Sequence, residues 1–138
     1  MPYTIRLLED GRGILAQGSG TVTLEEIERA KQEFIRSGEL KSPIAYLIVD
    51  GTGASASDFS GADIRRVAES TTRLSPSLFS PGARAAVVAP TDMLFGVARM
   101  WEVFVEGAGM EVQVFRSRED AEPWVTARGS SGEESDLK

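Results

Sequence analysis

Carboxylates and small hydroxyls crowd one stretch of this chain: Asp50, Thr52, Ser55, Ser57, Asp58, Ser60 and Asp63. Those residue types support three kinds of chemistry. A hydroxyl can take a phosphoryl group, a set of carboxylates can hold a hard cation such as magnesium, and short polar side chains can cap helices and turns. The 138 residues include no histidine and no cysteine, which removes the usual triad base and all thiolate chemistry. Asp50, Asp58, Asp63 and Asp92 could meet at one end of a sheet, but aspartate is favoured in caps and loops on structural grounds alone. Gly51-Thr52-Gly53-Ala54-Ser55-Ala56 fits G-x-G-x-x-A in form, yet its helix begins too late to meet a pyrophosphate. The expectation is a protein that is not an enzyme, with no cofactor and no metal.

The elements around that stretch follow from its pattern. Ile44 to Val49 is a continuous apolar run, as in a strand covered on both faces. Asp50 ends it, and the small residues to Ser57 form a loop or a weak sheet edge. Ser60 is placed to cap a helix whose first turn carries Asp63. Ile64, Val67, Ala68 and Thr71 mark its buried face, with Arg65, Arg66 and Glu69 outside.

On the N-terminal side, Tyr3–Leu8 and Ile14–Gln17 are two short strands joined through Asp10-Gly11, a hairpin signal. Thr23 and Glu26 form a capping box for a helix reaching Ser37 and stopping at Gly38. Leu24, Ile27, Ala30, Phe34 and Ile35 are its apolar face; Glu25, Glu28, Arg29, Lys31 and Glu33 cover the other side. On the C-terminal side, Leu74–Gly82, with two prolines, reads as a loop. Arg84–Ala89 is a second buried strand. A helix opens at Thr91 or Asp92 and runs to about Glu106. Met110–Phe115 is the last strand, and Ser117 caps the last helix, with Pro123 near its start.

The order is therefore β-β-α-β-α-β-α-β-α: an α/β fold with a mixed, mainly parallel sheet and four helices. Residues 1–128 read as one domain and 129–138 as a disordered acidic tail. Net charge is −6, of which Glu133, Glu134, Asp136 and Lys138 contribute −2. A mildly acidic body disfavours nucleic acid as a partner. No run approaches membrane-spanning length and no signal-peptide pattern is present, so a cytoplasmic location is expected.

Asp50, then seven residues, then Asp58-Phe59-Ser60-Gly61 resembles the signature of STAS domains, the bacterial anti-sigma-factor antagonists, in which a strand ends in Asp before an Asp-Ser-Ser/Thr-Gly motif. A closer resemblance is to the SpoIIAA-like (STAS/Sec14-like) branch. It is carried by AAVVAP at residues 85–90, by Phe95-Gly96-Val97-Ala98-Arg99-Met100, and by Phe115-Arg116. The resemblance implies a SpoIIAA-like fold and a regulatory role through protein–protein contact, with a partner of the anti-sigma-factor or serine-kinase type. It also implies phosphorylation at Ser60, with Asp58, Phe59, Gly61 and Asp63 as the partner-binding surround. Phe59 departs from the motif, standing where the family has a hydroxyl.

The helix from Asp92 carries two apolar stripes, and a core needs only one. Met93, Gly96, Met100 and Val103 form the spare stripe, which suits a second protomer or the lining of an apolar pocket. Gly96 in mid-helix costs up to about 1 kcal/mol relative to Ala, which points to close packing there. The second functional expectation is accordingly a carrier or sensor for an apolar small molecule or lipid held under the Met93–Met100 helix.

Overall fold

The structure, a computed structural model, describes residues 3–55 and 59–127. Strands β1 (Tyr3–Leu7) and β2 (Gly13–Gly18) form the hairpin, antiparallel with Leu7 opposite Ile14. Its turn is held by the Arg12 N–H donating to Asp10 Oδ1 at 2.9 Å and by Gly11 at φ 71°. Two residues, β3 (Gly20–Thr21), precede helix α1 (Leu24–Ser37). β4 (Ile44–Asp50) follows, then β5 (Ala54–Ser55), α2 (Gly61–Leu78), β6 (Phe79–Val88) and α3 (Asp92–Phe104). A 3₁₀ turn at Glu106–Ala108, β7 (Glu111–Phe115) and α4 (Arg118–Thr126) complete the order. The main sheet runs β1-β2-β4-β6-β7, parallel except for β1, and β3 pairs with β5, parallel, in a separate two-stranded sheet. No described helix is long and apolar enough to cross a membrane.

Cross-strand register sorts the sheet into two faces. Leu15, Tyr46, Ile48, Ala86 and Val88 share one, and α4 covers it with Ala121, Trp124 and Val125. Ile14, Leu47, Val49 and Val87 share the other. Phe34 of α1 packs at one end of that face and Ala98 of α3 at the other, in two separate clusters. α2 lies between α1 and α3 and packs on them more than on the sheet.

The segment expected as a loop, Leu74–Gly82, is instead the end of α2 and the start of β6. The apolar spacing of Ile64, Val67 and Thr71 continues through Leu74 and Leu78, and that burial outweighs the backbone bond lost at Pro76 in the last turn. Pro81-Gly82 falls where the β4–β6 register shifts, with Gly82 at φ 78°. Pro123 lies in the second turn of α4 rather than near its start. The expected acidic tail, 129–138, lies outside the described residues.

Candidate functional site

The gap between the two clusters on the α1–α3 face is a cavity of about 190 Å³. Ile14, Leu47 and Val49 form its floor, Val67 and Leu74 its roof, and Trp101 part of the α3 wall. What holds the roof up is lateral. On one side Lys31 of α1 donates from Nζ to Ser70 Oγ (2.7 Å), Thr71 Oγ1 (3.1 Å) and the Val67 carbonyl (3.3 Å), all on α2. On the other, the Arg65 guanidinium lies 4.7 Å from the Phe104 ring centre. α2 is braced against its neighbouring helices, and Leu47 and Val49 of the sheet below it are only half-buried.

Few polar groups border this space. Lys31 is one, with Glu28 Oε2 at 3.5 Å. Burial draws the Lys31 ammonium below the usual lysine range; Glu28 pulls it back up and Arg73 pushes it further down. Tyr3 is another, its hydroxyl pushed well above the usual tyrosine range by burial first and by the Glu28 charge second. Among the described residues, Glu28 Oε2 and Trp101 Nε1 are buried with no hydrogen-bond partner.

Lys31 and Glu28 were expected on the solvent side of α1. Both are half-buried and turned toward α2 or the sheet. The signal was present: Lys31 stands four residues after Ile27 and three before Phe34, on the same helical face. Leu74 and Trp101 also escaped a site reading, since their types and spacing are those of ordinary core residues.

Ser60 is the exposed N-cap of α2, its Oγ accepting from the Asp63 N–H at 3.1 Å. Asp63 returns the favour by accepting from the Ser60 N–H at 3.2 Å, so its carboxylate closes a capping box. Phe59, one residue earlier, is half-buried and lines the cavity. Asp58 lies outside the described residues. Gly61 is exposed, and a Cβ there would sit 3.7 Å from Met100 Cε. The Ser60–Gly61 corner and the spare stripe of α3 are therefore one continuous surface. On that stripe Met93 and Val103 are each 60% exposed and Met100 41%. The stripe faces solvent, and the cavity is lined by the opposite one, Leu94, Val97, Ala98 and Trp101. The close packing expected at Gly96 is not found: a Cβ there would meet nothing within 4 Å.

Among the described residues the aspartates Asp50, Asp63 and Asp92 do not converge. Asp50 is turned to the α4 face, Oδ1 accepting from the Thr52 N–H at 2.9 Å and Oδ2 from Arg118 Nη1 at 3.0 Å. Burial pushes its carboxyl up, but the Thr52 and Arg118 bonds outweigh it and hold it below the usual range. Asp92 pairs with Arg116 at 2.9 Å. Among the described residues no group of three or more acidic side chains could hold a metal.

No family model matches this sequence, and no curated protein does. A solved structure does. It is an uncharacterised protein of the DUF3478 family with a SpoIIAA-like fold, from Shewanella loihica PV-4. The two superpose with a TM-score of 0.56 over 89% of this chain and 91% of that one, at 17% identity. The fold of this chain is SpoIIAA-like, and the likeness is one of fold.

Proposed function

We propose that this chain acts by binding rather than catalysis, as a small carrier or sensor for an apolar molecule held between the sheet and α1, α2 and α3. The cavity carries this reading. Protein interiors pack at near-crystalline density, and an unfilled void costs stability. An engineered apolar cavity of about 150 Å³ already takes up benzene; this one, at about 190 Å³, is larger and bordered almost wholly by carbon. Apolar walls with a few placed polar groups are the usual makeup of a small-molecule site. A chain with neither histidine nor cysteine is also better equipped to hold a molecule than to transform one. Native mass spectrometry of freshly purified protein, then titration with toluene and hexanol, tests the reading. A retained small molecule, or saturable uptake of either probe, supports it; no uptake of either at millimolar concentration sinks it.

A second reading is favoured by a separate observation, the exposed Ser60 hydroxyl bordering the apolar stripe through Gly61 and Met100. On it, the surface docks a protein partner, of the anti-sigma-factor or serine-kinase type by resemblance, or a second copy of the chain. Phosphorylation of Ser60 would add roughly −1.5 to −2 charge at a helix N-terminus and displace the capping bond to Asp63. Kinase treatment followed by mass spectrometry, with partner binding by Ser60→Asp, tests this. An unmodified Ser60 and unchanged binding by the variant count against it.

A further inference from the structure

The outer stripe of α3 repeats as a pairing seam does. Met93, Gly96, Met100 and Val103 stand three, four and three residues apart, the spacing at which one helix lies along another. All four face solvent. The seam has unlike flanks. Asp92, Arg99 and Glu106 line one side at seven-residue intervals, exposed and alternating in sign. Val97 and Phe104 line the other and are half-buried. Gly96 lies on the seam, and so does Gly107, in the 3₁₀ turn that continues it; a Cβ at either would meet nothing within 4 Å. A mid-helix glycine that packs on nothing in its own chain leaves room for another backbone to come close.

The flanks decide what fits. A parallel copy of α3 would set charged flank against apolar flank, whereas an antiparallel copy brings like flank to like flank. Sign then sets the register. Centred on Arg99, the pairing would face Arg99 with itself and Asp92 with Glu106, and both contacts repel. Displaced by half a heptad, Arg99 of each chain faces Glu106 of the other. Gly96 then stands opposite Gly107, and Met100 opposite Val103. Arg99 meets Glu102 of its own helix through Nε at 3.0 Å, and its guanidinium has donors for a second carboxylate. The opposite displacement would rely on Asp92, which Arg116 already holds at 2.9 Å. Resting on the reading of this surface as a docking face, we propose that its occupant is a second copy of the chain, α3 against α3, antiparallel about a twofold axis near Glu102. The overlap from Gly96 to Gly107 is about 17 Å long. With its flanks it buries on the order of 1,000 Å² in total, the low end for a specific interface, so the dimer is weak and reversible. The net charge of −6 opposes association only mildly at physiological salt, where charges more than about 8 Å apart are largely screened.

The test is sedimentation velocity of the full chain from about 10 µM to about 1 mM, the range in which an interface of this size dissociates. Native protein passes from monomer to dimer across it. Met100→Lys, at an exposed position, weakens the dimer about tenfold or more. Arg99→Glu and Glu106→Arg each weaken it about threefold or more. The double variant returns to within about twofold of native affinity, because the reversed charges face one another again. Should Met100→Lys fail to fold, Gly96→Leu takes its place: the added side chain meets open space in the single chain, holds the two helices apart and gives the same loss. A native chain that stays monomeric throughout, a dimer that these seam variants leave intact, or a double variant no stronger than the single ones overturns the self-pairing. The docking reading fails separately, on partner capture unchanged by Ser60→Asp.

Discussion

Tyr46 and Ile48 of β4 point to one face of the sheet and are 4% and 2% exposed; Leu47 and Val49, their neighbours in the strand, point to the other and are only half-buried. Among the described helices α4 alone covers the first face, and three cover the second. Coverage by more helices has left the looser packing. α4 lies directly on the sheet, with Trp124 against Phe115 at 5.6 Å between ring centres, the Arg84 guanidinium 4.6 Å from the Trp124 ring, and Arg118 reaching Asp50. α2 rests on its neighbours through Lys31 and Arg65. A helix that satisfies its contacts sideways does not need to settle downward, and a hollow remains beneath it.

The difference can be broken most directly by truncation. Ile48→Ala on the α4 face is expected to cost about 3–4 kcal/mol in urea unfolding, and Leu47→Ala on the hollow face about 2 or less, because fewer neighbours lose contact. Equal costs would mean that the two faces pack alike. Adding one methylene sharpens the contrast by reversing sign. Val88→Leu, on the α4 face, should destabilise by about 1–3 kcal/mol through overpacking, whereas Val67→Leu, in the roof, should stabilise by about 1 kcal/mol through filling. A loss in both variants would remove the hollow.

The α4 face also carries an alkaline limit. Burial and the 2.7 Å bond to Asp10 push Tyr46 up to about 12. The ordinary value of about 10 applies in the unfolded chain. The contribution is therefore complete below about pH 10 and lost as pH rises toward about 12. Tyr46→Phe should flatten this fall by about 1–2 kcal/mol in unfolding measured at pH 9 and 11.5, leaving the part that Tyr3 contributes; an unchanged pH profile refutes it. The smallest effect belongs to α3. Gly96→Ala meets open space and should raise stability by about 0.5–1 kcal/mol. If a partner packs closely on Met93 and Met100, the same change weakens that association.

The helix starts were legible because capping is local: Thr23 with Glu26 and Ser60 with Asp63 lie three residues apart and form the bonds that their spacing implies. The mixed, mainly parallel α/β class followed from such elements taken in sequence, and the SpoIIAA-like fold from the resemblance carried by Asp58–Gly61, residues 85–90, Phe95–Met100 and Phe115-Arg116. Two prolines hid the last turn of α2, although Leu74 and Leu78 kept its period. The cavity itself was not legible. Periodicity tells which side of α2 is apolar, but the distance between that side and Leu47 is set by Lys31 reaching Ser70 across 39 positions of chain. Assigning Lys31 by charge instead of by its place between Ile27 and Phe34 hid the anchor.

The position of α4 has a practical consequence. The chain leaves the described region at Ala127, from the side of the sheet opposite the hollow. A fluorophore or surface tether placed on α4 itself, at exposed Glu119, sits on that opposite side, so immobilised protein can be exposed to candidate guests without the attachment facing the hollow.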